Sequence, residues 1–150
     1  MCFWNHMSAW QIRKRLEPDL WAGMFKITSE RHPYEKAVSS AYQRYVNHHK
    51  SGRFTDYLER VVQSGSYRNF DLYTMDGKII ADFVILYETL QHDVQALLRG
   101  LSLPTDATLP TAKTQFRQDH RPARDILSHR QKSMIRYRCA EEFEAFGYDP

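Results

Sequence analysis

Two residues whose types suit anion chemistry stand eight positions apart in one segment, Arg31 and Ser39. A guanidinium grips a phosphate through parallel N–H bonds that Lys or Gln does not imitate, and a hydroxyl adds a further donor. Arg31 falls in the abrupt turn Glu30-Arg31-His32-Pro33, and Ser39 and Ser40 follow on the segment behind it. Each has a plainer reading. Arg31 would otherwise be a surface residue at a helix start, where the positive dipole end disfavours it. Ser39 would otherwise be a small residue that lets a helix pack closely. The paired His48 and His49 suggest metal binding less well. Adjacent residues diverge on a helix, no carboxylate or Cys is spaced to complete a set, and cations suit a helix C-terminus. Cys2 and Cys139 lie far apart and form no metal-type or disulfide pattern. No metal set emerges.

The elements that must position these residues are short and well punctuated. Met24, Phe25, Ile27 and Thr28 predict a strand near residues 24–29, since aromatic and β-branched side chains suit a pleated surface. Pro33 stops it and has the φ of a first helical position. Ala37, Val38, Ala41, Tyr42, Tyr45 and Val46 then recur at helical spacing, which predicts a helix running out at His48-His49-Lys50. In open α/β sheets, anionic ligands settle where a strand ends beside such a helix N-terminus. Ser8 and Ser128 each begin an S-x-x-Q capping box. Thr55 is expected to cap a helix with Tyr57, Leu58, Val61 and Val62 inward, closed by Ser64-Gly65-Ser66. Asp76-Gly77 predicts a tight hairpin, its second arm continuing through 82–87, a strand expected near 80–87. A helix from Glu88-Thr89 carries Leu90, Val94, Leu97 and Leu98 on one face. Residues 102–121 read as a loop around Pro104 and Pro110. A terminal helix after Ser128 carries Ile135, Tyr137, Cys139, Phe143 and Phe146 and stops at Gly147.

Several of these segments share one family pattern. Arg31-His32-Pro33-Tyr34-Glu35-Lys36-Ala37-Val38-Ser39 resembles the R-x-P-Y-x-x-x-V-S segment of sulfotransferases that use 3′-phosphoadenosine-5′-phosphosulfate (PAPS), nearest the branch of carbohydrate, heparan-type and bacterial enzymes. Three later blocks follow in the family's order. Residues 76–84 with Tyr87-Glu88-Thr89-Leu90 resemble its hairpin-and-strand block, although Ile85-Leu86 stand where Gly-Arg is usual. Leu109-Pro110-Thr111-Ala112-Lys113-Thr114 resembles its L-P-x-x-N-K-[ST] loop, and Glu142 to Tyr148 its D-F-x-x-F-G-Y terminus. Upstream, His6-Met7-Ser8-Ala9 resembles its H-x-[ST]-A approach. The resemblance implies that Arg31 and Ser39 hold the cofactor's 3′-phosphate, that Lys113 and Thr114 close over the cofactor, and that His6 is the general base. It also implies a P-loop-like three-layer α/β fold, a short parallel sheet flanked by helices. The family's K-x-[AG]-[GS]-[ST]-[ST] turn, which cradles the 5′-phosphosulfate, has no counterpart before Met24, so the first βα unit is read as missing.

Composition agrees with a globular chain and excludes little. The 150 residues suffice for a single domain over 1–150; 42% are hydrophobic, 26% charged and 13% aromatic, as in packed proteins rather than disordered ones. A net charge of +3, with Arg and Lys scattered, places a nucleic-acid-binding module last among the readings. There is no run of ~18 apolar residues and no basic region followed by an apolar stretch, so neither a membrane segment nor a signal peptide is predicted. The expected function is sulfuryl transfer from PAPS to a hydroxyl acceptor on a carbohydrate, or, without the phosphosulfate loop, that of an inactive fragment or pseudoenzyme retaining only nucleotide 3′-phosphate binding or a protein-interaction role. Self-association through an exposed sheet is expected with it. A bacterial protein of this kind would be cytoplasmic, and a eukaryotic one with an N-terminal anchor would reside in the Golgi.

Overall fold

Asp82 sets the register of the sheet. Its carboxylate Oδ2 accepts from the backbone N–H of Lys26 at 2.7 Å, and its own N–H donates to the Lys26 carbonyl at 2.8 Å. From that clamp, β1 (Ile27–Glu30) and β4 (Phe83–Leu86) run parallel, with Ile27 opposite Phe83 and Glu30 opposite Leu86. Both strands are rich in β-branched and aromatic residues, as pleated backbone favours. A computed structural model describes residues 3–106, 109, 117 and 119–150 of the chain. Two compact units divide it: Met1–Glu30 with Asn69–Ala107, and Arg31–Arg68 with Thr108–Pro150.

The first unit holds the parallel strand pair and an antiparallel hairpin of β2 (Thr74–Met75) and β3 (Lys78–Ile79). At the turn, Asp76 and Gly77 have φ of 52° and 72°, the two left-handed positions that Asp-Gly supplies cheaply. Before β1 come α1 (Ala9–Arg13), opened by the Ser8 capping box, and α2 (Pro18–Gly23). After β4 comes a 3-10 turn and α5 (Leu90–Gly100). Asp93 ties that turn together, its Oδ2 accepting from Leu86 N and Thr89 Oγ1, both at 2.8 Å. The unit is thinly cored. Met7, Ala9, Phe70 and Tyr73 are buried, whereas no residue of α5 or β4 is fully so. Ile27 stays 46% exposed, as a strand of a two-stranded sheet leaves it, and Phe25, just before the strand, is 50% exposed.

The second unit is helical: α3 (Pro33–Asn47), α4 (Phe54–Ser64), α6 (Ala123–Ile126), α7 (His129–Arg138) and α8 (Ala140–Phe146). Its core is contiguous. Ala37, Val38 and Ala41 of α3 meet Leu58, Val61 and Val62 of α4, with Ile135 and Phe143 from the C-terminal helices. Full burial of each Val, Leu or Ile side chain there contributes about 1.5–3 kcal/mol. Gly65, at φ 67°, ends α4 in a left-handed cap, and Gly147, at φ 63°, ends α8 the same way.

Several expectations need correction. The first strand begins at Ile27, not Met24, because Lys26 is the residue that Asp82 clamps. The hairpin's second arm stops at Ile79, and β4 starts afresh at Phe83. Thr55 does not cap α4; Arg53 occupies that position without a side-chain cap bond. The terminal helix is two helices broken at Cys139, whose φ of −113° departs from the helical value. Ile135 and Cys139, four residues apart, share the buried side, whereas Tyr137 between them points away and is 87% exposed. Among the described residues, no helix is long and apolar enough to cross a membrane.

Candidate functional site

Arg31 and His32 form the link between the last residue of β1 and the first of α3. His32 is the N-cap of that helix. Its Nδ1 accepts from the Tyr34 N–H at 3.2 Å, so Nε2 carries the proton and donates to the Asp149 carbonyl at 2.9 Å. These partners assign the neutral Nε2–H tautomer. The ring also lies edge-on to Phe143 and tilted against Tyr148, which anchors the chain's end to the start of α3. His32 is thereby a structural cap of α3.

One turn on, Glu35 collects three donors. Its Oε2 accepts from Arg31 Nη2 at 3.1 Å and from Arg117 Nη1 at 2.5 Å, and its Oε1 accepts from the Ala123 N–H at 2.8 Å. Burial pushes the Glu35 carboxyl up, but the Ala123 hydrogen bond with the Arg117 and Arg31 guanidiniums outweighs it and holds the group below its ordinary value. Arg117 also donates to the carbonyls of Asp119, at 2.8 Å, and Arg121. Asp119 in turn is gripped by the Arg121 guanidinium through both carboxylate oxygens, the shorter contact 2.6 Å. Arg31, Glu35 and Arg117 are each about four-fifths buried as side chains. Ser39, one turn beyond Glu35 on the same helical face, is exposed.

A second polar cluster joins α3 to α8. Glu142, fully buried in the first turn of α8, pairs with Lys36 of α3 at 3.7 Å. Beside it, burial first of all, and then the Glu142 charge, push the Cys139 thiol up to about 12. Such a thiol stays protonated at neutral pH and is a poor nucleophile. Burial likewise pushes the neighbouring Tyr67 phenol up.

In the first unit, the buried Glu30 carboxylate accepts from the Tyr73 hydroxyl, and a cleft of about 340 Å³ opens among Trp21, Phe25, Lys26, Thr28, Tyr73 and Ile80. His6 is exposed, in a turn at φ 62°; the adjacent Met7 reaches the cleft, whereas His6 is not part of its lining. His6 thus belongs to the first unit, and Arg31 and Ser39 to the second. Lys113 and Thr114 lie outside the described residues. His48 and His49 are exposed at the end of α3, and among the described residues no group of three His, Cys, Asp or Glu side chains is placed to hold a metal ion. Glu35 and Arg117 were not singled out from the sequence. The signal for Glu35 was its i, i+4 spacing from Arg31; Arg117, 82 residues away from Glu35, had none.

The fold and this site define a mixed α/β protein with a parallel strand pair, helices and a partly buried two-arginine cluster. The chain is 32% identical over 105 residues to an uncharacterized protein of Archaeoglobus fulgidus, an alignment covering 67% of this chain and 86% of the relative. It belongs to the same family as that archaeal protein. No protein-family model and no solved structure matches the chain.

Proposed function

We propose that this chain is a sulfotransferase-type domain that binds PAPS and serves transfer of its sulfuryl group to a hydroxyl of a carbohydrate acceptor. The observation that carries the reading is the guanidinium of Arg31, positioned one residue past β1 and held by Glu35 on the face that also bears Ser39. A fixed guanidinium and an exposed hydroxyl on one helical face suit a phosphate monoester. On this reading Arg31 and Ser39 hold the 3′-phosphate of the nucleotide, Lys113 and Thr114 close over it, and His6 accepts the proton of the acceptor hydroxyl. The bound nucleotide supplies the sulfuryl group. The P-loop-like three-layer fold and self-association through the sheet belong to the same reading, the latter supported by the half-exposed Phe25 and Ile27.

The test is retention of the full chain on immobilised adenosine 3′,5′-bisphosphate. Arg31→Ala is expected to weaken binding at least about tenfold, since a charge-assisted contact to phosphate is lost. Unchanged retention would sink the assignment. A second reading, binding without turnover, draws on residues 3–26, where the described chain forms α1, α2 and turns and contains no glycine-rich phosphate loop. Retention on the resin with no sulfate transferred to any sugar hydroxyl would select it.

A further inference from the structure

Basic residues that are scattered along most of the chain gather on α7, which carries Arg130, Lys132, Arg136 and Arg138 and contains no Asp or Glu. Arg130 and Arg138 lie against the two ends of α4. Arg130 Nη1 donates to Glu59 Oε1 at 3.1 Å, yet the Arg130 side chain is 71% exposed, so the pair is weak in water and leaves further N–H donors open. Arg138 lies over the C-terminal end of α4, where a Cβ at Gly65 would stand 2.7 Å from its Nη1. The bare Gly65 leaves the guanidinium that place, and the negative end of the helix dipole favours a cation there.

Beside them Tyr137 is 87% exposed and makes no hydrogen bond or ring contact among the described residues. An open hollow of about 580 Å³ is lined by Arg130, Ser133, Met134, Tyr137 and Arg138. Their spacing puts all five on one face of a single helix. From Arg130 to Arg138 the axis advances roughly 12 Å, so the two guanidiniums reach separate anionic groups. The Cα–Cβ bond of Tyr137 tilts toward the helix N-terminus, which brings its ring over Ser133 and Met134 between those guanidiniums. Glu59, the carboxylate facing Arg130, has both oxygens engaged, Oε2 by Gln131 at 2.9 Å and Oε1 by Gln63 at 2.7 Å as well as by Arg130. Lys132 and Arg136 bond neutral acceptors, the Arg124 carbonyl and the Tyr34 hydroxyl, and add to the positive field of the helix. Charge alone suits any polyanion. The bare ring narrows the class, because a π-face flanked by guanidiniums suits a nucleobase joined to phosphates, whereas an acidic peptide makes no use of it.

We propose that this face of α7 binds single-stranded nucleic acid, with one base stacked on Tyr137 and phosphates of the same strand on Arg130 and Arg138. The site is separate from the cluster at Arg31, none of whose residues lines the hollow.

The test is fluorescence anisotropy of a short, fluorescein-labelled mixed-sequence strand titrated with the full chain over a salt series. A duplex of the same length and a labelled poly-glutamate peptide of equal charge are the comparison probes. The strand is expected to bind at least about fivefold more tightly than either, the least that one stacked base contributes. Tyr137→Ala is expected to weaken the strand about five- to a hundredfold, with Tyr137→Phe restoring it. The ring makes no contact that the fold needs, so both variants are expected to keep the native circular dichroism. Arg130→Ala is expected to lower the slope of log affinity against log salt by about 0.7, the release of one phosphate contact, and Arg130→Lys to keep it. Unchanged strand affinity in Tyr137→Ala would overturn the stacking site. Equal affinity for the peptide or for the duplex would reduce the face to a general polyanion surface and overturn the proposal, as would no binding of the strand at low salt. Retention on immobilised adenosine 3′,5′-bisphosphate reports on the Arg31 site separately, so either site stands or falls without the other.

Discussion

Replacing Glu35 tests the cluster at the start of α3 through stability alone. In Glu35→Ala the Ala123 N–H, on a residue only 1% exposed, loses its acceptor, and an unsatisfied buried donor costs about 1–3 kcal/mol. The contacts to Arg31 and Arg117 also go; with the Glu35 side chain 23% exposed, each contributes about 0.5–1 kcal/mol. The expected loss is about 2–5 kcal/mol, or about 4–20 °C in Tm for a chain of this size. Glu35→Gln keeps an acceptor for Ala123 and loses only the charge, so about 1 kcal/mol is expected. The pH dependence separates charge from shape. The folded Glu35 carboxyl titrates below its ordinary value, so its contribution is full above that value and is lost as the pH falls through the folded one. Urea melts should show wild type above Glu35→Gln at pH 7, with the gap closing as the pH is lowered below the ordinary carboxylate range. A gap that stays constant with pH, or a Glu35→Ala protein as stable as wild type, would refute the geometry.

Two further outcomes follow from the same unit. His32→Ala removes the α3 cap and the tie to Asp149 and is expected to cost about 1–2 kcal/mol in a urea melt, while His32→Asn, a good N-cap, should keep most of it. An equal loss for both would show that the ring contacts to Phe143 and Tyr148, not the cap, matter. Cys139, buried with its thiol pushed up to about 12, is expected to resist alkylation in native buffer at pH 8 and to react in urea, read by peptide mass mapping. Prompt native labelling at Cys139 would contradict its burial.

The turns and caps were legible because each is a short-range matter. Pro33 at a first helical position, the capping boxes at Ser8 and Ser128, Asp76-Gly77 and the left-handed Gly65 and Gly147 follow from local dihedrals and hydrogen bonds within three or four residues. The parallel relation of β1 and β4 was also expected, since two apolar runs separated by helices have few other arrangements. Strand ends were missed because Asp82, 56 residues from Lys26, selects them.

What the sequence determined by itself is the set of local elements and the presence of Arg31 and Ser39 on either side of a helix start. Only the tertiary structure decided what surrounds Arg31. Arg117 and the Ala123 N–H reach Glu35 from 82 and 88 residues away, and no periodicity encodes such a meeting. The break at Cys139 is likewise a tertiary matter, since α8 packs Phe143 against Tyr34 and pairs Glu142 with Lys36. Local dihedral preference writes the elements; the partners of a charged side chain depend on which distant segment the core brings beside it.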